Sequence, residues 1–172
     1  FRTNIGDSRT SGLEMFLQGD ISVSRNWMLS LFTSTSFMDA KYHNATLRSG
    51  NANVSIDGNK VESVPTWISR NGLTFTYSVY IFSLLYSYTS DSYADALNAE
   101  LPSSTGATGL VPSYQLVDLN LAFKVSNSIK LQINANNLLG AHYFTKRPQF
   151  YPGPGIWPSD GRTFSGTISI KI

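Results

Sequence analysis

Strict alternation of apolar and polar residues is the feature of this sequence that most limits its fold. In the segment 129–136, Ile, Leu, Ile and Ala occupy the odd positions, and Lys, Gln, Asn and Asn occupy the even ones. The same period of two runs through segments 13–23, 27–37, 72–77, 82–88, 117–125 and 163–172. Because successive side chains of a β-strand point to opposite faces, this period predicts strands, and no long segment has the period of a helix. We expect an all-β chain with about seven antiparallel strands.

Short and long connections alternate between the predicted strands. The short ones lie near Ser24-Arg25, Ser78-Val79 and Ser126-Asn127. The long, polar ones cover 42–64, 90–112 and 139–161. In an up-and-down sheet this order places every short turn at one rim and every long loop at the other. Bacterial outer-membrane barrels have this asymmetry, with short periplasmic turns and longer extracellular loops.

The polar face helps to separate a membrane barrel from a soluble β-sandwich. Charged residues make up only 14% of the chain, and the polar strand positions carry mainly Ser, Thr, Asn and Gln. A sandwich turns its polar face to bulk water and places many Lys and Glu there, whereas uncharged side chains suit a crowded lumen. Aromatic residues near the predicted strand ends fit the interfacial girdles of a barrel; they are Trp27, Tyr42, Trp67, Tyr86, Tyr88, Tyr114, Tyr143 and Phe144. The pattern favours a membrane barrel, with a soluble carbohydrate-binding or structural β-protein as the alternative.

Composition argues against several other classes of function. The chain has no cysteine, which removes disulfide scaffolds, cysteine metal sites and thiol nucleophiles. Its formal net charge of +2 is not arranged as a basic stripe, so we expect no nucleic-acid partner. The sequence contains no G-x-S-x-G, no H-E-x-x-H and no glycine loop for phosphate, so we expect no enzymatic activity and no catalytic residue.

Five short motifs occur in an order that is typical of one protein family. They are Asn4-Ile5-Gly6-Asp7 with Gly12-Leu13-Glu14, then Val64-Pro65, Tyr114-Gln115-Leu116-Val117-Asp118-Leu119, Asn136-Asn137-Leu138-Leu139 with Tyr143-Phe144, and Gly161-Arg162. Together they resemble the C-terminal barrel portion of TonB-dependent outer-membrane receptors. The final loop, 145–162, is similar to that of the ferric-dicitrate type of these receptors.

The resemblance implies a barrel of about 22 strands around an N-terminal plug, with residues 1–172 as one partial domain that forms the last seven strands. Seven strands cannot close a bacterial barrel alone, since such barrels have even strand numbers and open edges are costly in lipid. The implied location is the outer membrane of a Gram-negative bacterium. The implied partners are outer-membrane lipid, the receptor's own plug, the remaining barrel strands and the TonB energy-transducing complex.

The resemblance also implies a function, which is active uptake of a ferric chelate of the ferric-citrate or siderophore type. The chelate would be the transported ligand, and we expect no cofactor. Because ligand choice depends on the loops and the plug, a receptor of the same fold for a glycan or cobalamin is an open alternative.

The candidate site residues form two groups. An anionic chelate needs cationic donors, so the expected ligand-binding residues lie in or beside the long loops; they are His43, Arg48, Lys146, Arg147, Tyr151 and Arg162. Glu14, Asp118 and Lys130 fall on the polar face by the alternation and are expected to face the lumen and the plug. An ordinary charged rim and solvated lumenal charges are the competing interpretations. No metal-ligating set is expected, because neither His43 nor His142 has a partner at a ligand spacing.

Overall fold

The computed structural model describes residues 4–150 and 153–171, which form strands and no helix. Accordingly, no helix in this part of the chain is long and apolar enough to cross a membrane. Seven strands build the main sheet: β1 (Asp7–Ser24), β2 (Trp27–His43), β5 (Trp67–Tyr77), β6 (Tyr80–Thr89), β9 (Tyr114–Lys124), β10 (Ile129–Asn136) and β13 (Thr163–Ile170). Six short strands pair as hairpins in the long connections: β3 (Thr46–Ser49) with β4 (Ala52–Ser55), β7 (Ser92–Tyr93) with β8 (Leu110–Val111), and β11 (Phe144–Lys146) with β12 (Trp157–Pro158).

The main sheet is an antiparallel meander in the order β1-β2-β5-β6-β9-β10-β13, so each strand pairs with the next long strand along the chain. The turns 25–26, 78–79 and 125–128 therefore share one rim, which we call the short-turn rim. The opposite rim carries the first loop (44–66), the second loop (90–113) and the third loop (137–162). The predicted all-β class with seven sheet strands is confirmed.

Cross-strand register places the alternating residues on two distinct faces. Paired residues share a face, and one paired row is wholly apolar; it runs through Ile21, Leu29, Phe75, Phe82, Leu121 and Ile133. The adjacent row on the other face is wholly polar; it runs through Asp20, Ser30, Thr74, Ser83, Asn120, Asn134 and Ser165. We refer to these two sides as the apolar face and the polar face.

Hydrogen bonds run along the polar row between neighbouring strands. The hydroxyls of Thr74 and Ser83 lie 3.0 Å apart, the Asn120 amide donates to the Asn134 side-chain oxygen, and Asn134 Nδ2 lies 3.2 Å from Ser165 Oγ. These uncharged groups thus satisfy one another across the sheet and still leave atoms free for water or a partner.

Aromatic pairs mark both ends of the apolar face. Near the short-turn rim, the Trp27 ring lies 4.7 Å from that of Tyr77, and the rings of Tyr80 and Phe123 stack at 5.0 Å. Near the loop rim, Phe37 and Trp67 meet edge to face at 6.2 Å. Amphipathic rings at two levels with aliphatic side chains between them are the pattern of the two interfaces of a membrane barrel.

Four polar side chains interrupt the apolar face between the aliphatic rows and the Phe37–Trp67 pair. Thr33 donates to Asn71 at 2.7 Å, the hydroxyls of Thr35 and Ser69 lie 2.9 Å apart, and Asn71 Nδ2 donates to Ser69 at 3.0 Å. Because burying a polar group without a partner is costly, this closed set of hydrogen bonds makes the four residues compatible with an apolar environment.

One aromatic residue of β1, Phe16, lies on the polar face, as the alternation in the sequence predicts. Phe16 pairs with Ser34 on the polar face, and its ring lies 6.4 Å from that of Phe32. The Phe32 ring in turn covers Gly72, where a Cβ would lie 2.0 Å from a ring carbon. Only glycine at position 72 therefore lets this ring lie flat on the sheet.

Candidate functional site

The first and second loops pack together above the loop rim. Asn98 joins them, because its Nδ2 donates to the Lys60 carbonyl at 2.8 Å and its Oδ1 accepts the Lys60 amide at 2.7 Å. Asn59 Nδ2 donates to the Ala96 carbonyl at 2.9 Å. We call the region formed by residues 40–66, 90–113 and 137–162 the loop layer.

A small hydrophobic core stabilises this contact. It consists of Tyr42, Ala45, Ile56 and Ala96, with Ile5, Leu47 and Val61 packed against it. Tyr42 lies near the end of β2, beyond the aromatic girdle at Phe37, and its hydroxyl donates to the Glu62 carboxylate. Burial raises the pKa of Tyr42 above its ordinary value, and the hydrogen bond and negative charge of Glu62 raise it further.

Arg147 joins the second and third loops. Its Nε donates to the Leu110 carbonyl at 3.1 Å, and its Nη1 donates to the Gly106 carbonyl at 3.0 Å. The guanidinium also lies 4.8 Å from the centre of the Phe144 ring, in a cation–π arrangement. The second loop therefore contacts both of the others, and Arg147 holds the second and third loops together through two hydrogen bonds.

The other predicted ligand-binding residues are distributed over the first and third loops. Arg48, Lys146 and Arg162 are exposed. Arg162 packs against Gly140, where a Cβ would lie 2.8 Å from Nη2. Tyr151 lies outside the described residues.

His43 contacts the first loop. It is at the end of β2, and its Nδ1 lies 3.9 Å from Asp57 Oδ1 in the first loop. Arg48 lies on the β3–β4 hairpin, where its Nε points to the Gly50 carbonyl at 3.4 Å. The structure therefore places Lys146, Arg147 and Arg162 in the third loop, Arg48 in the first loop, and His43 at the end of β2.

The register places the three residues expected in the lumen on the polar face. Glu14 pairs with Ser36, Asp118 pairs with Leu85, and Lys130 pairs with Lys124. Asp118 already has a partner within the sheet, since its Oδ1 accepts the Asn137 amide at 2.7 Å. Contact with a plug stays a prediction for all three.

Arg70 and Lys124 are cations of the polar face that were not among the predicted site residues. Arg70 pairs with Ser34 and Ser87, and Lys124 lies directly opposite Lys130. The alternation of β9 would have placed Lys124 on this face, but the cross-strand register with Lys130 depends on the length of the intervening turn.

Within residues 4–150 and 153–171, no three His, Asp or Glu side chains are clustered to hold a metal ion.

Comparison with known proteins supplies the decisive finding. Residues 1–138 match the family model described as "TonB dependent receptor-like, beta-barrel". The chain belongs to the TonB-dependent receptor barrel family. Members of this family are outer-membrane receptors of Gram-negative bacteria rather than enzymes, so the meander is part of a transmembrane barrel. In such barrels the outward face is apolar and meets lipid, whereas the interior is polar, so we expect the two faces of this sheet to divide in the same way.

Individual relatives agree with this family. The chain is 28% identical over 172 residues to a probable TonB-dependent siderophore receptor, PiuA, of Acinetobacter baumannii. The match covers 98% of this chain but only 21% of that protein. Hence the chain spans about a fifth of the length of this relative.

Solved structures show the same fold. The unliganded ferric citrate transporter FecA superposes with a TM-score of 0.78 at 22% identity, over 95% of this chain and 24% of that one. The siderophore receptor PiuA from Acinetobacter baumannii gives a TM-score of 0.74 at 23% identity, over 97% of this chain and 22% of that one. Both superpositions cover nearly the whole chain, so the seven-stranded sheet and its loops correspond to a segment of a larger barrel.

Proposed function

We propose that this chain forms part of a receptor for TonB-dependent active uptake of an anionic ferric chelate, of the ferric-citrate or siderophore type. The observation that carries the proposal is the third loop, which presents Lys146 and Arg162 as exposed cations on the loop rim. The names of the similar proteins, a siderophore receptor and a ferric citrate transporter, support the same class of cargo.

The charge of the loop layer is uneven, and this unevenness points to the third loop. The charged residues of the third loop are three cations, Lys146, Arg147 and Arg162, and one acid, Asp160. All charged residues of the second loop are acids; they are Asp91, Asp95 and Glu100. Asp95 is buried, and its carboxylate accepts the Leu97 amide at 3.0 Å. An anion is therefore attracted to the side of the mouth formed by the third loop.

The cations of this loop have separable roles. Arg147 is committed to two carbonyls of the second loop, so its proposed contribution is to position the loop and to supply long-range charge. The side chains of Lys146 and Arg162 make no hydrogen bond or ion pair within the described residues and are the direct ligand-binding candidates. His43 at the end of β2, Arg48 in the first loop, and Tyr151 complete the proposed site. The lumenal plug and the TonB complex are the proposed partners of the complete receptor.

Calorimetric titration of ferric citrate into the full receptor tests the proposal. We expect the Lys146→Ala, Arg162→Ala double variant to bind at least tenfold more weakly, which corresponds to about 1.4 kcal/mol. Arg25→Ala removes a cation from the short-turn rim and is the matched control, with unchanged affinity expected. Equal affinity of the double variant and the wild type, with the barrel folded, would remove these residues from the site. Tight binding of a neutral glycan by the wild type would instead contradict the class of cargo.

A further inference from the structure

Three cations lie in one row across the sheet, beyond the Phe37–Trp67 pair at the loop rim. Arg9 of β1 is directly opposite Lys41 of β2, and Lys41 is in turn opposite Lys60 of the first loop. Residues that are directly opposite in neighbouring strands share a side of the sheet and have Cβ atoms about 4.5–5.5 Å apart. We call Arg9, Lys41 and Lys60 the outer cations.

The outer cations are on the same side of the sheet as the apolar face. The register of β1 with β2 is regular over this part of the two strands. Lys41 therefore lies on the side of Phe37, four residues earlier in β2, and its partner Arg9 lies there too. Tyr42 lies on the opposite side and is buried in the small core of the loop layer. The row thus faces outward, away from the interior of the barrel.

The height of the row matches the headgroup layer of a membrane. Lys41 is four residues beyond Phe37, which is about 13 Å along the strand. Strands of outer-membrane barrels tilt by about 35–45°, so the height above this aromatic residue is about 10 Å. The headgroup region extends roughly 5–8 Å beyond the hydrocarbon on each side of a bilayer. Long Lys and Arg side chains can reach back into this layer.

The chain compensates the charge of this row only in part. Like charges directly opposite each other destabilise a sheet, and Arg9 and Lys41 form such a pair. Asp39 Oδ2 accepts from Lys41 Nζ at 2.9 Å. Asp7 is the other acid of β1 and β2 on this side, and it makes no ion pair in the described part of the chain. Arg9 and Lys60 likewise form no ion pair there, so the row keeps a net positive charge.

We propose that the outer cations bind the phosphate groups of an anionic lipid in the outer leaflet of the outer membrane. The long loops of outer-membrane barrels are extracellular, so the loop rim is at the level of this leaflet. Each Lys or Arg near a membrane surface adds to the attraction of anionic lipid, and an Arg can hold two phosphate oxygens at once. Lys60 Nζ lies 3.2 Å from the Thr66 hydroxyl, and an ammonium has three donors, so this contact does not exhaust it. The proposal rests on the expected contact of the apolar face with lipid and is independent of the ferric chelate.

Native mass spectrometry of the full receptor in detergent, titrated with a bis-phosphorylated lipid A, tests this contact. We expect conversion of all three outer cations to Gln to weaken lipid A binding at least tenfold. The matched control is the triple Gln variant of Arg25, Arg70 and Lys124, which removes the same charge from the short-turn rim and the polar face. Its affinity for lipid A should equal that of the wild type. An equal loss in the two variants would indicate an effect of net charge alone and would overturn the proposal.

A second titration uses only the wild-type receptor and therefore does not depend on the folding of a variant. Lipid A from which both phosphates have been removed should bind at least tenfold more weakly than the bis-phosphorylated form. Equal binding of the two forms would overturn the proposal. Weaker binding of ferric citrate by the outer-cation variant, with lipid A binding unchanged, would also overturn it and would assign the row to the cargo.

Discussion

In the seven-stranded sheet, Leu31, Leu121 and Ile133 lie on strands that are paired on both sides and are 40–59% exposed, whereas Ile56 in the loop layer is completely buried. Both regions consist of β-strands and turns, yet their apolar side chains have opposite surroundings. The loop layer excludes water from a small core, as a soluble domain does. The sheet presents its apolar side chains outward, which is stable only where the solvent is lipid. The difference indicates that the loop layer is suited to water and the apolar face of the sheet to lipid. The boundary between the two lies near Phe37 and Trp67.

The largest expected effect comes from a charge placed on the lipid side of the boundary. Ile133 lies on the apolar face and is 59% exposed, and its neighbour Gln132 lies on the polar face. Ile133→Arg should cost about 2–4 kcal/mol of barrel stability if the position is near the midplane, because the charge must enter hydrocarbon. Gln132→Arg should cost much less, since its side chain meets the watery lumen.

Reversible unfolding of the full receptor in lipid vesicles measures this difference. Equal losses of unfolding free energy at the two positions would contradict the assignment of the faces.

A smaller effect is expected in the water-exposed region. Ile56→Val removes one methylene from the loop core and should cost about 0.5–1.5 kcal/mol of local stability. The Ile56 amide, which donates to the Ala45 carbonyl at 3.0 Å, should exchange its hydrogen correspondingly faster. Val54→Ala on the exposed side of the β3–β4 hairpin is the matched control and should change little.

Hydrogen exchange also reports whether the two regions are independent. Amides of β10 should be unaffected by Ile56→Val. Faster exchange in β10 and in the loop layer together would mean that the two regions unfold as one unit.

The smallest expected effect concerns Tyr42 and appears only at alkaline pH. Burial and Glu62 raise its pKa above the ordinary tyrosine value of about 10. A folded-state pKa above the unfolded one stabilises the loop layer fully below pH about 10, and this contribution is lost as the pH rises further. Difference absorbance between the wild type and Tyr42→Phe should therefore show one tyrosine that ionises later than the exposed tyrosines. Ionisation together with the exposed tyrosines would show that the loop core is open.

The sequence predicted strand bounds accurately where apolar and polar residues alternate without interruption, and less accurately where they do not. The bounds of β10 match the alternating segment 129–136 residue for residue. The first strand begins at Asp7, six residues before the predicted start, because its polar residues pair with β2 beyond the lipid boundary and need no alternation there. Pairing across strands, which a single sequence does not display, determines this part of the fold.

The loop layer was the least predictable region for a related reason. The three loop hairpins, of which β7–β8 joins residues 92–93 to 110–111, have no alternation long enough to detect. The role of Arg147 depends on carbonyls about 40 residues earlier in the chain, at Gly106 and Leu110. The sequence indicated a cation for ligand binding at this position, and the structure adds a contact between loops that no local motif encodes.

The central claim is that the apolar face contacts lipid and the polar face contacts the lumen. Spin labels placed singly at positions 129–136 of the full receptor in lipid bilayers test it directly, by collision with oxygen, which concentrates in lipid, and with a water-soluble nickel chelate. We predict an oxygen accessibility that alternates with period two along β10 and is highest at the odd positions 131 and 133. Accessibility that is highest at the even positions, or that has no period of two, would contradict the account.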